Sequence, residues 1–266
     1  MCNVYKKIDC ENVQKEQKQN PLATSGSSKI PAGLYRKDKT RMNALKRGLI
    51  VSCQAVKGEP LYGYGIMHLF AKAAKEGGAN GIRALCDDID SIKDEVNLPI
   101  IGLVKEVYED SEIYITPTTK EVDRLLATKC DVVCMDATLR SRPEGITLDE
   151  LYAYARKHAN GRELMADVST IEEAINADRL GFDYISTTMR GYTPYTAQYA
   201  IPDIDFVKEC CEKVKNAKVI AEGGVFEVSH MEAISEINPY AVVVGSAITR
   251  PKVITERFMG ALHLKD

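Results

Sequence analysis

Apolar residues recur along the chain in eight short runs, most of them rich in Val, Ile and Ala. The runs are Gly48–Ser52, Gly81–Ala84, Ile100–Val104, Asp131–Met135, Glu163–Asp167, Asp183–Ser186, Lys218–Glu222 and Ala241–Gly245. Strands that are apolar on both faces are typical of a parallel sheet buried by helices. Each of the first seven runs is followed by a loop and an amphipathic stretch. Eight such units in one chain predict an α/β fold, a single (β/α)8 TIM barrel.

The amphipathic stretches carry helix signals of their own. Residues 118–127 begin with Thr118, and Glu121 follows three positions later; Thr170 and Glu173 repeat this spacing. A Thr hydroxyl and a Glu carboxylate at that spacing satisfy the free backbone N–H groups of a helix start, which is called a capping box. We therefore expect helices over both stretches.

The segment before the first run differs in charge from the rest of the chain. Residues 1–47 carry 8 Lys and 3 Arg against 2 Asp and 2 Glu, although the net charge of the whole chain is −3. This segment contains no apolar stretch long enough for a signal peptide or a membrane span. We interpret residues 1–47 as a basic N-terminal extension, in part poorly ordered, with a short helix near Arg41–Arg47 at the barrel floor. Residues 48–266 would form the catalytic barrel domain. A transit peptide and a contact with an anionic surface remain alternatives.

Composition narrows the possible chemistry. The 8 cysteines include no C-x-x-C pair, and without a secretion signal they indicate reduced thiols in the cytoplasm. The 4 histidines all fall on predicted outer helices, so we predict neither a metal centre nor a His-based catalytic triad. The small overall charge gives no indication of nucleic acid as a partner, and nothing indicates a membrane.

The active site of a (β/α)8 barrel lies at the carboxyl ends of its strands. The residues at or just after those ends are Gln54, Arg83, Lys105, Asp136, Asp167, Thr187, Glu222 and Ser246. They are the candidate site residues.

Lys105 and Glu222 are the candidate catalytic residues. A lysine at the mouth of a barrel can lose its proton near neutral pH and act as a base, although Lys105 could instead be a surface residue paired with Glu106 or Glu109. Glu222 could orient this lysine, bind a sugar hydroxyl or exchange protons. Strands three and seven lie on opposite sides of an eight-stranded ring, so the two side chains could flank a substrate.

Other strand ends indicate a phosphorylated ligand. Gly223-Gly224 and Gly245-Ser246 follow strands seven and eight, where barrels commonly bind phosphate through backbone N–H groups. Arg250 is close enough in sequence to add a guanidinium.

The remaining strand ends are charged. Arg83 needs an anionic or carbonyl partner if it is buried. Asp136 could simply cap its own turn, which leaves Asp167 as the better candidate for a substrate ligand.

Several stretches resemble N-acetylmannosamine-6-phosphate 2-epimerases, in order and with similar spacing over about residues 48–260. They are Gly48–Ala55, Ile82–Ala84, Leu98–Gly102, Ser111–Thr118, Met135–Thr138, Met165–Thr170, Ser186–Thr188, Gly191–Tyr195 and Gly245–Pro251. The resemblance implies a (β/α)8 isomerase of amino-sugar and sialic acid catabolism that converts N-acetylmannosamine 6-phosphate into N-acetylglucosamine 6-phosphate.

The resemblance also implies roles for individual residues. Lys105 would be the acid/base at C2, Glu222 the glutamate of strand seven, and the substrate contacts would be Gln54, Arg83, Asp167 and Arg250. It implies no metal, no nicotinamide and no other cofactor, a sugar phosphate as the small-molecule partner, and a homodimer.

One position departs from the family pattern: Gly224 stands where relatives tend to carry Arg. Two other functions therefore stay open. The chain could be another phosphate-binding barrel isomerase or lyase, or a sugar-phosphate sensor without catalytic activity.

Overall fold

The structure is a computed structural model, and it describes residues 44–263. The strands in this part of the chain are β1 (Gly48–Cys53), β2 (Gly81–Leu85), β3 (Ile100–Leu103), β4 (Val132–Asp136), β5 (Glu163–Asp167), β6 (Tyr184–Ser186), β7 (Lys218–Glu222) and β8 (Ala241–Val244). Each strand pairs in parallel with the next, and β8 pairs with β1, so the sheet closes. The predicted (β/α)8 barrel is confirmed.

Helices follow the strands on the outside of the barrel. Within the described residues they are α1 (Met67–Glu76), α2 (Ile89–Glu95), α3 (Thr119–Leu126), α4 (Leu148–His158), α5 (Ile171–Leu180), α6 (Ile204–Lys213), α7 (Val228–Ile237), α8 (Ser246–Thr249) and α9 (Pro251–Ala261). Both predicted capping boxes are present, at the starts of α3 and α5. The start of α4 carries a further one, in which Thr147 and Glu150 bond reciprocally.

The histidines follow the prediction with one exception. His68, His158 and His230 lie on α1, α4 and α7, as expected. The expectation was wrong for His263, because α9 ends at Ala261.

Side chains alternate along each strand between the barrel interior and the outer helices. The interior cluster includes Ile101 and Leu103 of β3, whereas Ile100 packs in the outer cluster. The same alternation holds on β5, where Met165 is inside and Leu164 outside. Because the side-chain period of a strand is two residues, the residues that face the barrel mouth can be counted from these interior positions. We call the carboxyl ends of the strands the mouth, and their amino ends the floor.

The floor is closed by the segment that precedes β1. Leu45 is 1% exposed and packs among the interior side chains. Its backbone N–H donates to the Tyr184 hydroxyl at 3.2 Å, and its carbonyl accepts from the Tyr240 hydroxyl at 2.6 Å. Residues 44–47 are irregular rather than helical, so the expected helix is wrong over these residues. The rest of the predicted basic extension, residues 1–43, lies outside the described residues.

Candidate active site

A buried ion pair between β2 and β5 forms the centre of the mouth. Arg83 is 1% exposed and Asp167 is fully buried. Arg83 Nη2 donates to Asp167 Oδ2 at 2.6 Å, and Nη1 donates to Asp167 Oδ1 at 3.1 Å. Two parallel bonds of this kind are the strongest form of a guanidinium–carboxylate contact. The anionic partner expected for a buried Arg83 is therefore present.

Glu222, at the end of β7, shares the same guanidinium. Arg83 Nη1 donates to Glu222 Oε2 at 2.5 Å, and the glutamate side chain is 13% exposed. Burial raises the pKa of the Glu222 carboxyl, the Arg83 guanidinium opposes this rise, and the nearby charge of Asp167 adds to it. One guanidinium thus serves two carboxyl groups in a site with little water to screen them.

Two hydroxyl groups that the sequence analysis did not select complete this arrangement. Thr188 Oγ1 donates to Asp167 Oδ1 at 2.8 Å, and Ser186 Oγ lies 3.2 Å from Glu222 Oε2. Thr187, the predicted strand-end residue, instead donates to the backbone carbonyl of Glu222 at 2.8 Å and accepts from its N–H at 2.9 Å. Counting by twos from the interior Tyr184 would have identified residues 186 and 188. We call Arg83, Asp167, Ser186, Thr188 and Glu222 the mouth cluster.

Lys105 lies two residues beyond the end of β3 and is half-buried. It forms an isolated antiparallel bridge with Ile115, and the flanking Glu106 N–H donates to the Tyr114 carbonyl at 3.0 Å. The chain is extended here, so alternation from Ile101 and Leu103 puts Lys105 on the interior face. In an eight-stranded ring β3 is four strands from β7, which is the opposite side.

Gln54 and Arg250 approach the mouth from β1 and from the end of β8. The Gln54 amide donates to Ser52 Oγ at 2.9 Å, and the side chain is 8% exposed. Arg250 Nε contacts Glu59 at 3.0 Å, and its Nη1 donates to Ser246 Oγ at 3.3 Å. Arg250 is thus held at the β8 end beside one of the candidate phosphate residues.

Asp136 is satisfied within its own loop. Its Oδ1 accepts from the backbone N–H and the hydroxyl of Thr138, at 2.9 and 2.7 Å. Its Oδ2 accepts from Arg140 at 2.7 Å, and burial raises the pKa of its carboxyl. The local capping considered for Asp136 is therefore present, and this carboxyl is not part of the mouth cluster.

The glycine turn after β7 is shaped by a close approach of another loop. Gly223 and Gly224 have φ angles of 110° and 72°, which favour glycine. A Cβ at Gly224 would lie 2.6 Å from the carbonyl carbon of Ile201 and 2.7 Å from the nitrogen of Pro202. Any side chain at position 224, including arginine, would therefore displace the loop that precedes α6. At the end of β8, Gly245 has an ordinary negative φ of −112°.

The described residues contain no group of three or more His, Cys, Asp or Glu side chains arranged to hold a metal ion. None of the helices in this part of the chain has both the length and the apolarity to cross a bilayer.

Comparison with known proteins connects this geometry to a family. A family model described as "Putative N-acetylmannosamine-6-phosphate epimerase" matches residues 67–264. A protein of Staphylococcus carnosus is described as "Putative N-acetylmannosamine-6-phosphate 2-epimerase". It is 55% identical to this chain over 220 residues, which cover 82% of this chain and 97% of that protein. A similarly named Staphylococcus aureus protein is 51% identical, over 82% of this chain and 99% of its own.

A solved structure agrees with these matches. The N-acetylmannosamine-6-phosphate 2-epimerase from Clostridium perfringens is 46% identical with a TM-score of 0.79, over 86% of this chain and 100% of that one. A thiamine phosphate pyrophosphorylase from Pyrococcus furiosus, 19% identical with a TM-score of 0.53, shares the fold alone. By sequence and by structure, this chain belongs to the N-acetylmannosamine-6-phosphate epimerase family.

Proposed function

We propose that the protein converts N-acetylmannosamine 6-phosphate into N-acetylglucosamine 6-phosphate by removing and returning the proton at C2, as a step of amino-sugar and sialic acid catabolism. Family membership supports this proposal. The structural observation that carries it is the mouth cluster, in which Arg83 joins Asp167 and Glu222. Lys105 follows β3, four strands from β7 in the ring.

The C2 proton of the ring-opened sugar is acidic because the neighbouring aldehyde can accept the charge. Lys105, as the neutral amine, takes this proton; the C–H electron pair forms the C1–C2 double bond of an enolate, and the amine becomes an ammonium. A proton delivered to the opposite face of C2 then restores the aldehyde with inverted configuration. Glu222 lies on the opposite strand and would orient Lys105, and the second proton would come from Lys105, Glu222 or a substrate hydroxyl.

Substrate contacts are assigned to Gln54, Arg83, Asp167 and Arg250. Among the described residues, Arg83 Nε is buried without a hydrogen-bond partner, which leaves a donor for a substrate oxygen. Asp167 also holds the Arg83 guanidinium through both of its oxygens, so it would orient Arg83 toward the substrate as well as contact it. Arg250 would contact the phosphate from the side of Ser246.

The phosphate is assigned to the turns after β7 and β8, at Gly223, Gly224, Gly245 and Ser246. Gly223 has a positive φ angle, and a Cβ there would meet no atom nearer than 3.8 Å, so its backbone can approach a ligand closely. Barrels commonly bind phosphate at these two strand ends.

Exchange of the C2 hydrogen with solvent deuterium tests the assignment directly. Lys105→Ala should slow this exchange by about 10³-fold, because general base catalysis is worth that much, while the sugar phosphate still raises the melting temperature. Lys120→Ala serves as the matched control, since Lys120 is an exposed lysine on α3 paired with Glu144. If Lys105→Ala exchanged the C2 hydrogen as fast as the native protein does, Lys105 would have no part in the mechanism. If the native protein bound the sugar phosphate without converting it, the protein would be a sensor and not an enzyme.

Location and assembly are further parts of the proposal. The cysteines in the described part of the chain are all free thiols, as is typical of a cytoplasmic protein.

The exposed apolar surface of α9 and the residue after it supports a homodimer. Phe258, Met259 and Leu262 are 75%, 61% and 51% exposed, and no residue of α9 is buried. A second copy of the chain would cover this apolar surface. Light scattering at one chain mass, 29.4 kDa, would contradict the dimer.

A further inference from the structure

Lys105 belongs to a small hairpin that follows β3 at the mouth. Residues 104–116, which we call the mouth hairpin, continue directly from the end of β3 and turn back beside it. Lys105 forms its antiparallel bridge with Ile115 of the return strand. The Ile115 carbonyl in turn accepts from the backbone N–H of Asp136, at the end of β4, at 3.0 Å. The return strand therefore connects Lys105 to the end of β4.

The hairpin closes on a residue with a strained backbone. Thr116 is buried and has a φ angle of 45°, in the left-handed region that a β-branched residue rarely adopts. Its N–H donates to the Val104 carbonyl at 2.8 Å, and its hydroxyl accepts from the Val104 N–H at 3.2 Å. Strain of this kind persists only where the surrounding contacts fix it, and it is concentrated at active sites. The residue fixed here is the one that precedes Lys105.

One arginine from the loop after β4 bonds both the end of β4 and the hairpin. Arg140 Nη2 donates to Asp136 Oδ2 at 2.7 Å, and its Nε donates to Thr138 Oγ1 at 3.0 Å. Its Nη1 donates to the carbonyl of Glu112, in the return strand, at 3.3 Å. The Arg140 side chain is 10% exposed and that of Asp136 is fully buried. The planar guanidinium holds these contacts in one geometry.

The return strand is thus held from β4 at two points. The Asp136 N–H holds Ile115, which is directly opposite Lys105, and Arg140 holds Glu112. The ion pair between Asp136 and Arg140 joins the two points into one unit. A change in this ion pair should therefore be transmitted to Lys105 through the return strand.

We propose that Asp136 and Arg140 are positioning residues for Lys105: their ion pair fixes the return strand of the mouth hairpin, and the return strand fixes the place of the amine. The proposal rests on the epimerase function proposed above, in which Lys105 takes the C2 proton. It gives a role to two charged groups that are buried beside the site but do not belong to the mouth cluster. Proton transfer requires the amine within hydrogen-bonding distance of its target, so a displacement of about 1 Å is enough to slow the reaction strongly.

Arg140→Lys tests this role. The lysine keeps a positive charge beside Asp136, but its single nitrogen cannot take over all the contacts of the guanidinium. We expect kcat to fall about 10- to 100-fold, because the base is misplaced. KM should change by less than about two-fold, because the phosphate is assigned to the turns after β7 and β8, on other strands of the ring. A purely structural role would lower the melting temperature and leave the kcat of the folded protein unchanged.

Amide hydrogen exchange of the ligand-free full-length protein gives a second measurement that needs no turnover. In Arg140→Lys, the amides of residues 104–116 should exchange faster than in the native protein, since the return strand has lost a contact. Exchange in the strands of the barrel should stay at the native rate. Unchanged exchange in the mouth hairpin would overturn the proposal.

Arg162→Lys is the matched control. Arg162 Nε and Nη2 donate to the carbonyls of Cys130 and Thr128 at 3.0 and 2.8 Å, but this arginine directly precedes β5, at the floor. The control should keep the native kcat. A native kcat in Arg140→Lys, or an equal loss of kcat in the two variants, would overturn the proposal. Failure of the epimerase function would be seen separately, as absent C2 exchange in the native protein.

Discussion

The two ends of β5 each carry an inward-facing carboxyl group, and the two are held in different ways. At the floor, Glu163 Oε2 accepts from the Tyr184 hydroxyl and from the Ala44 backbone N–H, both at 2.7 Å. At the mouth, Asp167 is held by the Arg83 guanidinium. The carboxyl group at the floor thus accepts from neutral donors, a tyrosine hydroxyl and a backbone N–H. The segment before β1 fills the remaining space there.

The difference shows how one barrel separates stability from chemistry. Neutral donors fix the floor in a single arrangement, and burial together with Glu163 raises the pKa of Tyr184, so its hydroxyl keeps its proton. The mouth concentrates one guanidinium and two carboxyl groups, and burial raises the pKa of one of these carboxyl groups, that of Glu222. Buried charges of this kind contribute little net stability, but removing one partner is costly.

The largest effects are expected when each carboxyl group of β5 is neutralised in turn. Asp167→Asn leaves Arg83 buried with Glu222 as its remaining carboxyl partner, so we expect a loss of about 4 kcal/mol in the free energy of unfolding. A displaced Arg83 should also lower kcat/KM by about 100-fold. Denaturant unfolding and the epimerisation assay measure the two effects.

Glu163→Gln is the matched change at the floor. The amide oxygen can still accept from Tyr184 and Ala44, so the cost should be about 1 kcal/mol with unchanged turnover. Equal losses of stability in the two variants would contradict the distinction between the two ends.

A second test removes the side chain that closes the floor. Leu45→Ala leaves a cavity among the interior side chains, so we expect a loss of about 3 kcal/mol in the free energy of unfolding. Turnover below the unfolding range should match the native protein, because Leu45 lies at the end of the barrel opposite the mouth cluster. A lowered kcat at full folding would show that the two ends are coupled. Leu69→Ala, on the half-exposed outer face of α1, is the control.

A third test concerns shape rather than charge at the mouth. Gly224→Ala puts a methyl group against Ile201 and Pro202 at a positive φ angle, which should cost about 2 kcal/mol and move the loop before α6. If this turn binds the phosphate, KM should rise more than kcat falls. Gly58→Ala, also at a positive φ but in open space, controls for backbone strain alone. Equal effects of the two substitutions would mean that the close approach to Ile201 has no consequence.

Local patterns along the chain are enough to predict the strands, two helix starts and the order of the strand ends. Apolar runs gave the strands to within one or two residues, and Thr–Glu spacings gave two helix starts, because both depend on contacts within a few positions of the chain. The motif spacing gave the family. Lys105 and Glu222 were identified as strand-end residues because the fold class alone puts the active site there.

The hydrogen-bond and ion-pair partners of those residues follow from the closed barrel and not from local patterns. Arg83 and Glu222 are 139 residues apart, and the closed ring brings them within 2.5 Å. Ser186, Thr187 and Thr188 are three consecutive hydroxyl residues that the sequence does not distinguish. In the structure, Ser186 and Thr188 face the carboxyl groups of Glu222 and Asp167, whereas Thr187 bonds the backbone of Glu222. The reason why Gly224 departs from the family pattern is visible only in the structure, because Ile201 occupies the space that a side chain at position 224 would need. Such partnerships depend on the register and closure of the whole barrel, which no local pattern encodes.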